Sequence, residues 1–163
     1  MSKLLSKKKH FWIAPLKVDD SVPLYQIHQH CFVPAWEKQT FDHFLTDQSI
    51  FGYKASLIGR PDEILGFCLC RLILDEAEII TIAVHPHCRR QGIGTLLIDS
   101  TLRHLHHERA LKLFLEVEET NLSALNLYKG FEFQKIAKRF AYYQSKNSRT
   151  DAIIMQKTFK QID

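Results

Sequence analysis

The chain has 163 residues, of which 45% are hydrophobic and 25% charged, so it can bury the core of one globular domain and is too apolar to be intrinsically disordered. Its net charge of +4 equals the charge of the four lysines near the start, Lys3, Lys7, Lys8 and Lys9. The remaining 18 basic residues are balanced by 18 acidic residues. The body of the protein is therefore neutral, which excludes a domain-wide field for binding nucleic acid.

The basic segment 1–10 is predicted to be an N-terminal tail, and 11–163 a single domain. The tail is either a solvated segment or a contact for an anionic partner such as RNA. The apolar runs are shorter than the roughly 18 residues that cross a membrane, so no membrane contact is expected. The four cysteines lack CxxC spacing and no secretory leader is recognised, which favours reduced thiols in the cytoplasm.

In the first half of the chain, the hydrophobic pattern predicts a strand over 11–16, a helix over 21–32, a loop and short helix within 34–45, and strands over 50–58, 64–74 and 77–84. In the second half, it predicts a helix over 92–108, a strand over 111–117, a helix over 121–128, and strands over 133–143 and 151–159. GRPDE at 59–63 is predicted to be a hairpin turn. This order predicts an α+β fold, with a mixed, mostly antiparallel sheet of about seven strands and helices on both faces. The helical crossover makes 77–84 and 111–117 parallel.

A strand, a polar turn and a helix meet at residues 85–94, which read HPHCRRQGIG. Gly92 and Gly94 allow a ligand to approach the backbone closely, and the helix start offers free N–H groups and the positive end of the helix dipole. Arg89 and Arg90 could add charge-assisted hydrogen bonds. The turn therefore indicates a phosphate or pyrophosphate seat, but taken alone it is equally consistent with a plain, solvated turn.

Four stretches of the chain together carry a family resemblance. R-x-x-G-x-G after IAVHP resembles the acetyl-CoA motif of the GCN-five-related N-acetyltransferases (GNAT), and LEVEETNLSALNLYKGFEF (115–133) resembles their next motif. KRFAYYQSKNSRTDAIIMQK (138–157) and HCFVPAWEKQTF (30–41) resemble the RimI-type enzymes, which acetylate the N-terminal alanine of the eighteenth protein of the small ribosomal subunit. The resemblance spans about 11–159. It implies the GNAT fold and acetyl transfer to a protein N-terminus, with no direct contact to nucleic acid required.

The resemblance also implies that acetyl-CoA is the cosubstrate. Its acetyl-pantetheine arm would bind the backbone of Ile82, Ala83 and Val84, much as one strand pairs with another. Asn121 would bond the same arm, although capping a helix is the common role of such an Asn. The pyrophosphate would be held by Arg89, Arg90, Gln91, Gly92, Ile93 and Gly94, and Thr95 is also expected to bind the cofactor.

Two residues match the catalytic positions of the family. Glu116, in the L-E-V triplet, would be the general base, and Tyr128, in the L-Y pair, the general acid for the departing thiolate. The non-catalytic alternatives are that Glu116 is a solvated carboxylate at a strand end and that Tyr128 is a packed aromatic ring. Deprotonating an α-amine at neutral pH costs about 1 kcal/mol and a lysine roughly 4–5 kcal/mol, which favours an N-terminal acceptor.

The remaining candidates concern the acceptor and metals. Trp36, Tyr142 and Tyr143 are expected to line the substrate groove, or else to be ordinary core or rim aromatics. The histidine-rich HLHH at 104–107 is expected to be a solvated helix face, and no metal site is expected because convincing partner ligands are absent from the sequence.

The chain departs from the family at two positions. Glu132 stands where the family usually has Gly, which leaves the geometry of that turn open, and Glu118 replaces an Arg that is common in RimI-type sequences. The acidic pair Glu118–Glu119 keeps a small-amine acceptor, such as a polyamine or an aminoglycoside, as an alternative. The basic tail supports a second alternative, in which the protein is a non-catalytic module that binds acyl-CoA or RNA.

Overall fold

A computed structural model of the chain describes residues 10–144 and 149–160, with side chains described for 10–140 and 149–160. The described strands are β1 (Phe11–Pro15), β2 (Ile50–Leu57), β3 (Arg60–Ile73), β4 (Glu76–Val84), β5 (Lys112–Glu118), β6 (Gln134–Gln144) and β7 (Arg149–Thr158). The described α-helices are α1 (Ser21–Cys31), α2 (Lys38–Thr46), α3 (Ile93–His107) and α4 (Leu122–Gly130). Their order along the chain is the predicted one. Among these helices there is none long and apolar enough to cross a bilayer.

The strands form a single mixed sheet in the order β1-β2-β3-β4-β5-β7-β6. Neighbouring strands run antiparallel except for β4 and β5, which are parallel and joined through α3. A crossover connection is what parallel neighbours require, because a hairpin joins only antiparallel strands. The predicted α+β architecture, including its parallel pair, is therefore confirmed.

Two hydrophobic clusters cover the two faces of the sheet. On one face α3 and α4 pack over a core that includes Leu97, Leu113 and Tyr128. On the other face α1 and α2 pack over a smaller core that includes Leu24 and Phe41. Helices thus lie on both faces of the sheet, as the order of the elements predicts.

One extra residue in β4 determines where the sheet opens. Leu69 of β3 pairs with Thr81 and Cys70 pairs with Ile79, so Ile80 is a β-bulge. A bulge bends its strand and ends local pairing. Accordingly, the β4–β5 pairing ends at Glu78 and Phe114, just before the bulge. The last residues of β4 and β5 therefore do not pair with each other. Beyond the bulge, the backbone edge of β4 that faces β5 forms no strand pairing with it.

The hairpin between β2 and β3 differs from the prediction. Leu57 pairs with Arg60, so the turn is Ile58–Gly59, and Gly59 has a positive φ of 87°. The next pair joins Ser56 to Ile64. The intervening residues, Pro61 among them, form an irregularity inside β3 rather than the turn, which is a position that tolerates a proline lacking an N–H group.

Candidate active site

A cleft of about 750 Å³ lies beside the exposed edge of β4. Its walls come from the C-terminal end of α1, the end of β4, the turn before α3, the first turn of α3 and one face of α4. The lining residues are Cys31, Phe32, Ile82, Ala83, Val84, Cys88, Arg89, Arg90, Gly92, Ile93, Gly94, Thr95, Asn121, Ser123, Ala124, Asn126, Leu127 and Tyr128. Segments far apart in the sequence thus form one site.

The three β4 residues assigned to the pantetheine arm all line this cleft, but they are not equivalent. The carbonyl oxygen of Val84 accepts hydrogen bonds from Arg89 Nε at 3.2 Å and from Cys31 Sγ at 3.4 Å. Ile82 and Ala83 lie beyond the point at which β4 stops pairing with β5. Their backbone therefore presents the edge at which an amide-containing arm could pair like a strand.

The turn before α3 has the backbone shape expected of an anion seat. Arg90 and Gly92 adopt positive φ values of 61° and 86°, and α3 begins directly after Gly92. The first N–H groups of a helix have no partner within the helix and point along its axis. A Cβ on Gly94 would lie 3.2 Å from Leu127 Cδ2, so glycine allows α3 and α4 to approach each other closely. These features fit a pyrophosphate group.

Two of the predicted pyrophosphate residues make contacts within the protein. The guanidinium of Arg89 turns back toward Val84 and Cys31, and its Nη2 lies 3.5 Å from Cys31 Sγ. Gln91 is not among the cleft-lining residues, and its Nε2 donates to the carbonyl of His87 at 3.4 Å. Arg89 and Arg90 both line the cleft, and of these two it is the guanidinium of Arg89 that is engaged with Val84 and Cys31.

Asn121 has a structural role that its sequence position also predicts. It is the N-cap of α4, and its Oδ1 accepts a hydrogen bond from the backbone N–H of Ala124 at 3.1 Å. It also lines the cleft, as do Ala124 and Leu127 at later positions of the same helix. Helical spacing explains the shared face, since residues three or four apart along a helix are neighbours.

Tyr128 is buried, and it lies near the C-terminal end of the α4 face that lines the cleft. The residue is 4% exposed, its ring lies 5.7 Å from that of Phe133, and it lines the cleft. A phenol placed there can donate a proton to a group inside the cleft.

Glu116 lies on the other face of the sheet. Its strand neighbours Leu115 and Val117 belong to the core beneath α3 and α4, so alternation directs Glu116 to the side of α1 and α2. It is not among the cleft-lining residues, and its Oε1 lies 2.9 Å from Arg139 Nη1. Glu116 is two residues beyond Phe114, the last β5 residue that pairs with β4, and so borders the opening between the two strands.

The acceptor-side predictions have separate outcomes. Trp36 is not a lining residue of the cleft. Its ring packs 5.8 Å from Phe41 and 5.6 Å from Phe44 in the cluster under α1 and α2. Tyr142 and Tyr143 belong to β6, but their side chains lie outside the described residues. Cys31 and Phe32, which sequence reasoning did not select, line the cleft instead.

The prediction of a solvated HLHH face is wrong for one histidine. His104 Nδ1 lies 3.1 Å from the hydroxyl of Tyr53, and its ring stacks on Phe51 at 4.0 Å. Burial lowers the pKa of His104. Among the described side chains there is no group of three or more His, Cys, Asp or Glu that could hold a metal ion.

The acidic pair is already engaged within the fold. Glu119 Oε2 lies 2.7 Å from Lys138 Nζ, and that ammonium also contacts Asp151 at 2.9 Å. Glu118 accepts a hydrogen bond from the Thr150 hydroxyl at 2.5 Å. These contacts reduce what the pair can offer to a cationic ligand.

The turn at Glu132 keeps the backbone shape that glycine favours. Glu132 adopts a φ of 65°, in the left-handed region. Lys157 Nζ donates to the carbonyl of Phe131 at 2.9 Å and lies 3.4 Å from Glu132 Oε2. Glu132 thus occupies a backbone conformation for which glycine is the usual residue.

Comparison with known proteins gives one consistent result. The acetyltransferase (GNAT) family matches residues 21–133. The [ribosomal protein bS18]-alanine N-acetyltransferase of Escherichia coli strain K12 is 30% identical over 143 residues, which cover 88% of this chain and 94% of that protein. The enzyme of the same description from Haemophilus influenzae is 31% identical over 144 residues, covering 88% and 95%.

Solved structures agree with this assignment. The crystal structure of the ribosomal-protein-S18-alanine N-acetyltransferase from Escherichia coli has a TM-score of 0.85 and 28% identity, covering 94% of this chain and 97% of that one. Arabidopsis thaliana NAA60 in complex with acetyl-CoA shares the fold, with a TM-score of 0.80 at 20% identity, covering 91% and 98%. The chain therefore belongs to the acetyltransferase (GNAT) family and is an acetyl-CoA-dependent N-acetyltransferase.

Proposed function

We propose that this protein transfers the acetyl group of acetyl-CoA to the α-amino group of the N-terminal alanine of ribosomal protein bS18. Support for this acceptor comes from the similarity to bS18-alanine N-acetyltransferases over nearly the full length of both chains. The observation that carries the reaction is the cleft in which the edge of β4, the start of α3 and Tyr128 come together. The expected cytoplasmic location would place the enzyme in the compartment of ribosome assembly.

The residues around the cleft fit the cosubstrate, which supplies an acetyl group already activated as a thioester. Arg90 and the first N–H groups of α3 would hold its pyrophosphate. The backbone of Ile82 and Ala83 would pair with its amide-containing arm. Asn121 would contribute mainly by fixing the start of α4.

Two residues would move the protons. Glu116 would take a proton from the acceptor ammonium, directly or through a water molecule, and its position on the α1–α2 face places it on the side away from Tyr128. As the nitrogen–carbon bond forms and the carbon–sulfur bond breaks, Tyr128 would donate its phenolic proton to the sulfur, and the second proton that the acetylated nitrogen loses would restore the phenol, through water. The base and the acid would thus act from the two faces of the sheet, through the opening between β4 and β5.

The small-amine alternative has less support than its sequence motif suggests. The carboxylate of Glu119 is paired with Lys138, and Glu118 is bonded to Thr150, so the acidic pair does not stand free for a polyamine. The alternative of a non-catalytic module is set aside, because the chain belongs to a family of acetyltransferases.

A direct test compares three acceptors by the release of free CoA. The first is a peptide copying the N-terminus of bS18. The second is the same peptide with its α-amine blocked and a lysine side chain left free, and the third is spermidine. We expect rapid turnover with the first and background rates with the others. Turnover on spermidine, with none on the free peptide, would replace the proposal with a small-amine acetyltransferase.

A further inference from the structure

A buried histidine lies in the last turn of α1, close to the cleft. His28 is 2% exposed, and its ring stacks with those of Phe32, at a centroid distance of 4.3 Å, and Trp36, at 4.6 Å. The ring of Phe41 makes an edge-to-face contact with the imidazole, at a centroid distance of 5.4 Å. An imidazole surrounded by aromatic rings is held in a single orientation by packing.

The hydrogen bonding of His28 defines its protonation. The backbone N–H of Trp36 donates to His28 Nδ1 at 3.2 Å, so this nitrogen carries no proton and Nε2 carries the one of the neutral ring. Burial lowers the pKa of His28 to about 4, so the ring is neutral at physiological pH. A neutral acceptor is what the Trp36 N–H needs, because a protonated ring would present a donor to a donor.

His28 thereby holds both ends of the loop between α1 and α2. Phe32 follows α1 directly, Trp36 precedes α2 by two residues, and both rings stack on the imidazole. Phe32 is also a wall residue of the cleft, together with Cys31. The residues that the resemblance assigns to acetyl-CoA come from β4, the turn, α3 and Asn121. The wall contributed by α1 is therefore left for the other reactant, the acceptor amine.

We propose that His28 is a positioning residue for the acceptor: its neutral imidazole fixes the α1–α2 loop through Trp36 and Phe32, and so sets the wall against which the acceptor binds. The part of this inference that concerns the acceptor rests on the proposed function. The part that concerns the loop does not.

The test uses two substitutions and a control. His28→Leu fills the site but removes the acceptor for the Trp36 N–H. His28→Asn keeps an acceptor, since its side-chain oxygen can take the place of Nδ1. Leu105→Ala, in the buried core beneath α3, destabilises the fold at a site apart from the α1–α2 loop. For each protein, KM for the bS18 peptide, KM for acetyl-CoA and kcat are measured at a temperature where all remain folded.

We expect His28→Leu to raise the peptide KM about fivefold or more, the effect of losing one buried hydrogen bond, and to change the acetyl-CoA KM less than about twofold. His28→Asn keeps an acceptor but loses the stacking on Phe32 and Trp36, so its peptide KM should lie between those of the parent and His28→Leu, and its acetyl-CoA KM should stay within about twofold of the parent. An unchanged peptide KM in His28→Leu, or an equal rise in both constants as in a merely destabilised protein, would overturn the inference.

A second readout separates this inference from the proposed function. In a Trp12→Phe background, Trp36 is the remaining tryptophan. If the parent enzyme does not acetylate the peptide, the proposed function fails, and acrylamide quenching of Trp36 fluorescence decides the loop. Stronger quenching in His28→Leu than in His28→Asn supports the inference that the His28 acceptor fixes the α1–α2 loop. Equal quenching in both variants and in the parent contradicts it.

Discussion

Glu116 and Tyr128 lie on opposite faces of the central sheet, at the place where β4 and β5 stop pairing. Tyr128 belongs to the core beneath α3 and α4, whereas Glu116 points to the face of α1 and α2 and pairs with Arg139. The opening between the strands begins beyond Glu78 and Phe114. This arrangement motivates separate proton-transfer roles for the two residues, each of which can be tested alone.

Tyr128→Phe removes the phenolic proton and leaves the ring that packs against Phe133. We expect kcat to fall by about 10²-fold or more, which is the usual contribution of a general acid. The acetyl-CoA dissociation constant, measured by calorimetry, should stay unchanged. A kcat close to that of the parent would mean that the proton reaches the thiolate by another route.

Glu116→Gln should have an effect that depends on pH. Near pH 7 the α-amine, with a pKa of about 7.7–8, is mostly protonated, so kcat/KM should fall by about 10²-fold. Above about pH 9 the amine is already neutral and the deficit should shrink. Glu118→Gln, on the same strand and face, is the matched control and should follow the parent profile. A deficit of constant size at every pH would argue against a base role.

Gly92→Ala tests the seat for the pyrophosphate. Space is not the obstacle, because a Cβ there would meet nothing within 4 Å, but its φ of 86° is unfavourable for alanine by about 1–2 kcal/mol. We expect the acetyl-CoA dissociation constant to rise by about fivefold or more, as the turn relaxes away from this shape. Gly130→Ala, which also has open space around its Cβ, should bind acetyl-CoA like the parent.

Glu132→Gly should stabilise the protein. The substitution relieves the left-handed φ of 65°, and the ion pair that it removes involves a largely exposed carboxylate. The gain is reduced by the greater freedom of glycine in the unfolded chain, which leaves roughly 0.5–1 kcal/mol in the free energy of unfolding. Urea unfolding measures this change, and a loss of stability would show that the side chain of Glu132 contributes more than its backbone costs.

The buried His28 should make stability sensitive to acid. The unfolded chain binds its proton near pH 6.5, whereas the folded protein does so only near pH 4, so stability is complete above the first value and falls as the pH is lowered toward the second. From about pH 7.5 to pH 5 the parent should lose about 2 kcal/mol more than His28→Asn, because the other titrating groups are common to both proteins. Parallel stability profiles for the two proteins would contradict a neutral, buried imidazole.

Much of the fold follows from local patterns. The order of elements was predictable because each strand alternates or runs apolar and the helices carry apolar stripes, and the parallel pair followed from its helical crossover. The hairpin was misplaced because Pro61 and its neighbours read as a turn, whereas the register shift absorbs them within β3. The bulge at Ile80 has no local sequence mark, yet it determines where the cleft opens.

The site was predictable where one continuous motif builds it. The β4 edge and the turn before α3 were predicted from one such stretch, and most of their predicted residues line one cleft. Cys31 and Phe32 reach the cleft from a segment about 50 residues earlier, and only the folded chain brings them there. His28 was not selected from the sequence, because its burial arises from aromatic partners four, eight and thirteen residues later in the chain.

The proposed acceptor is best tested by incubating intact, unacetylated bS18 with this enzyme and acetyl-CoA and then locating the acetyl group by fragmentation in a mass spectrometer. We expect a single acetyl group on the α-nitrogen of the N-terminal alanine, formed about 10²-fold more slowly when Tyr128 is replaced by Phe. An acetyl group on a lysine side chain, or unmodified bS18 beside turnover of a small amine, would contradict this expectation.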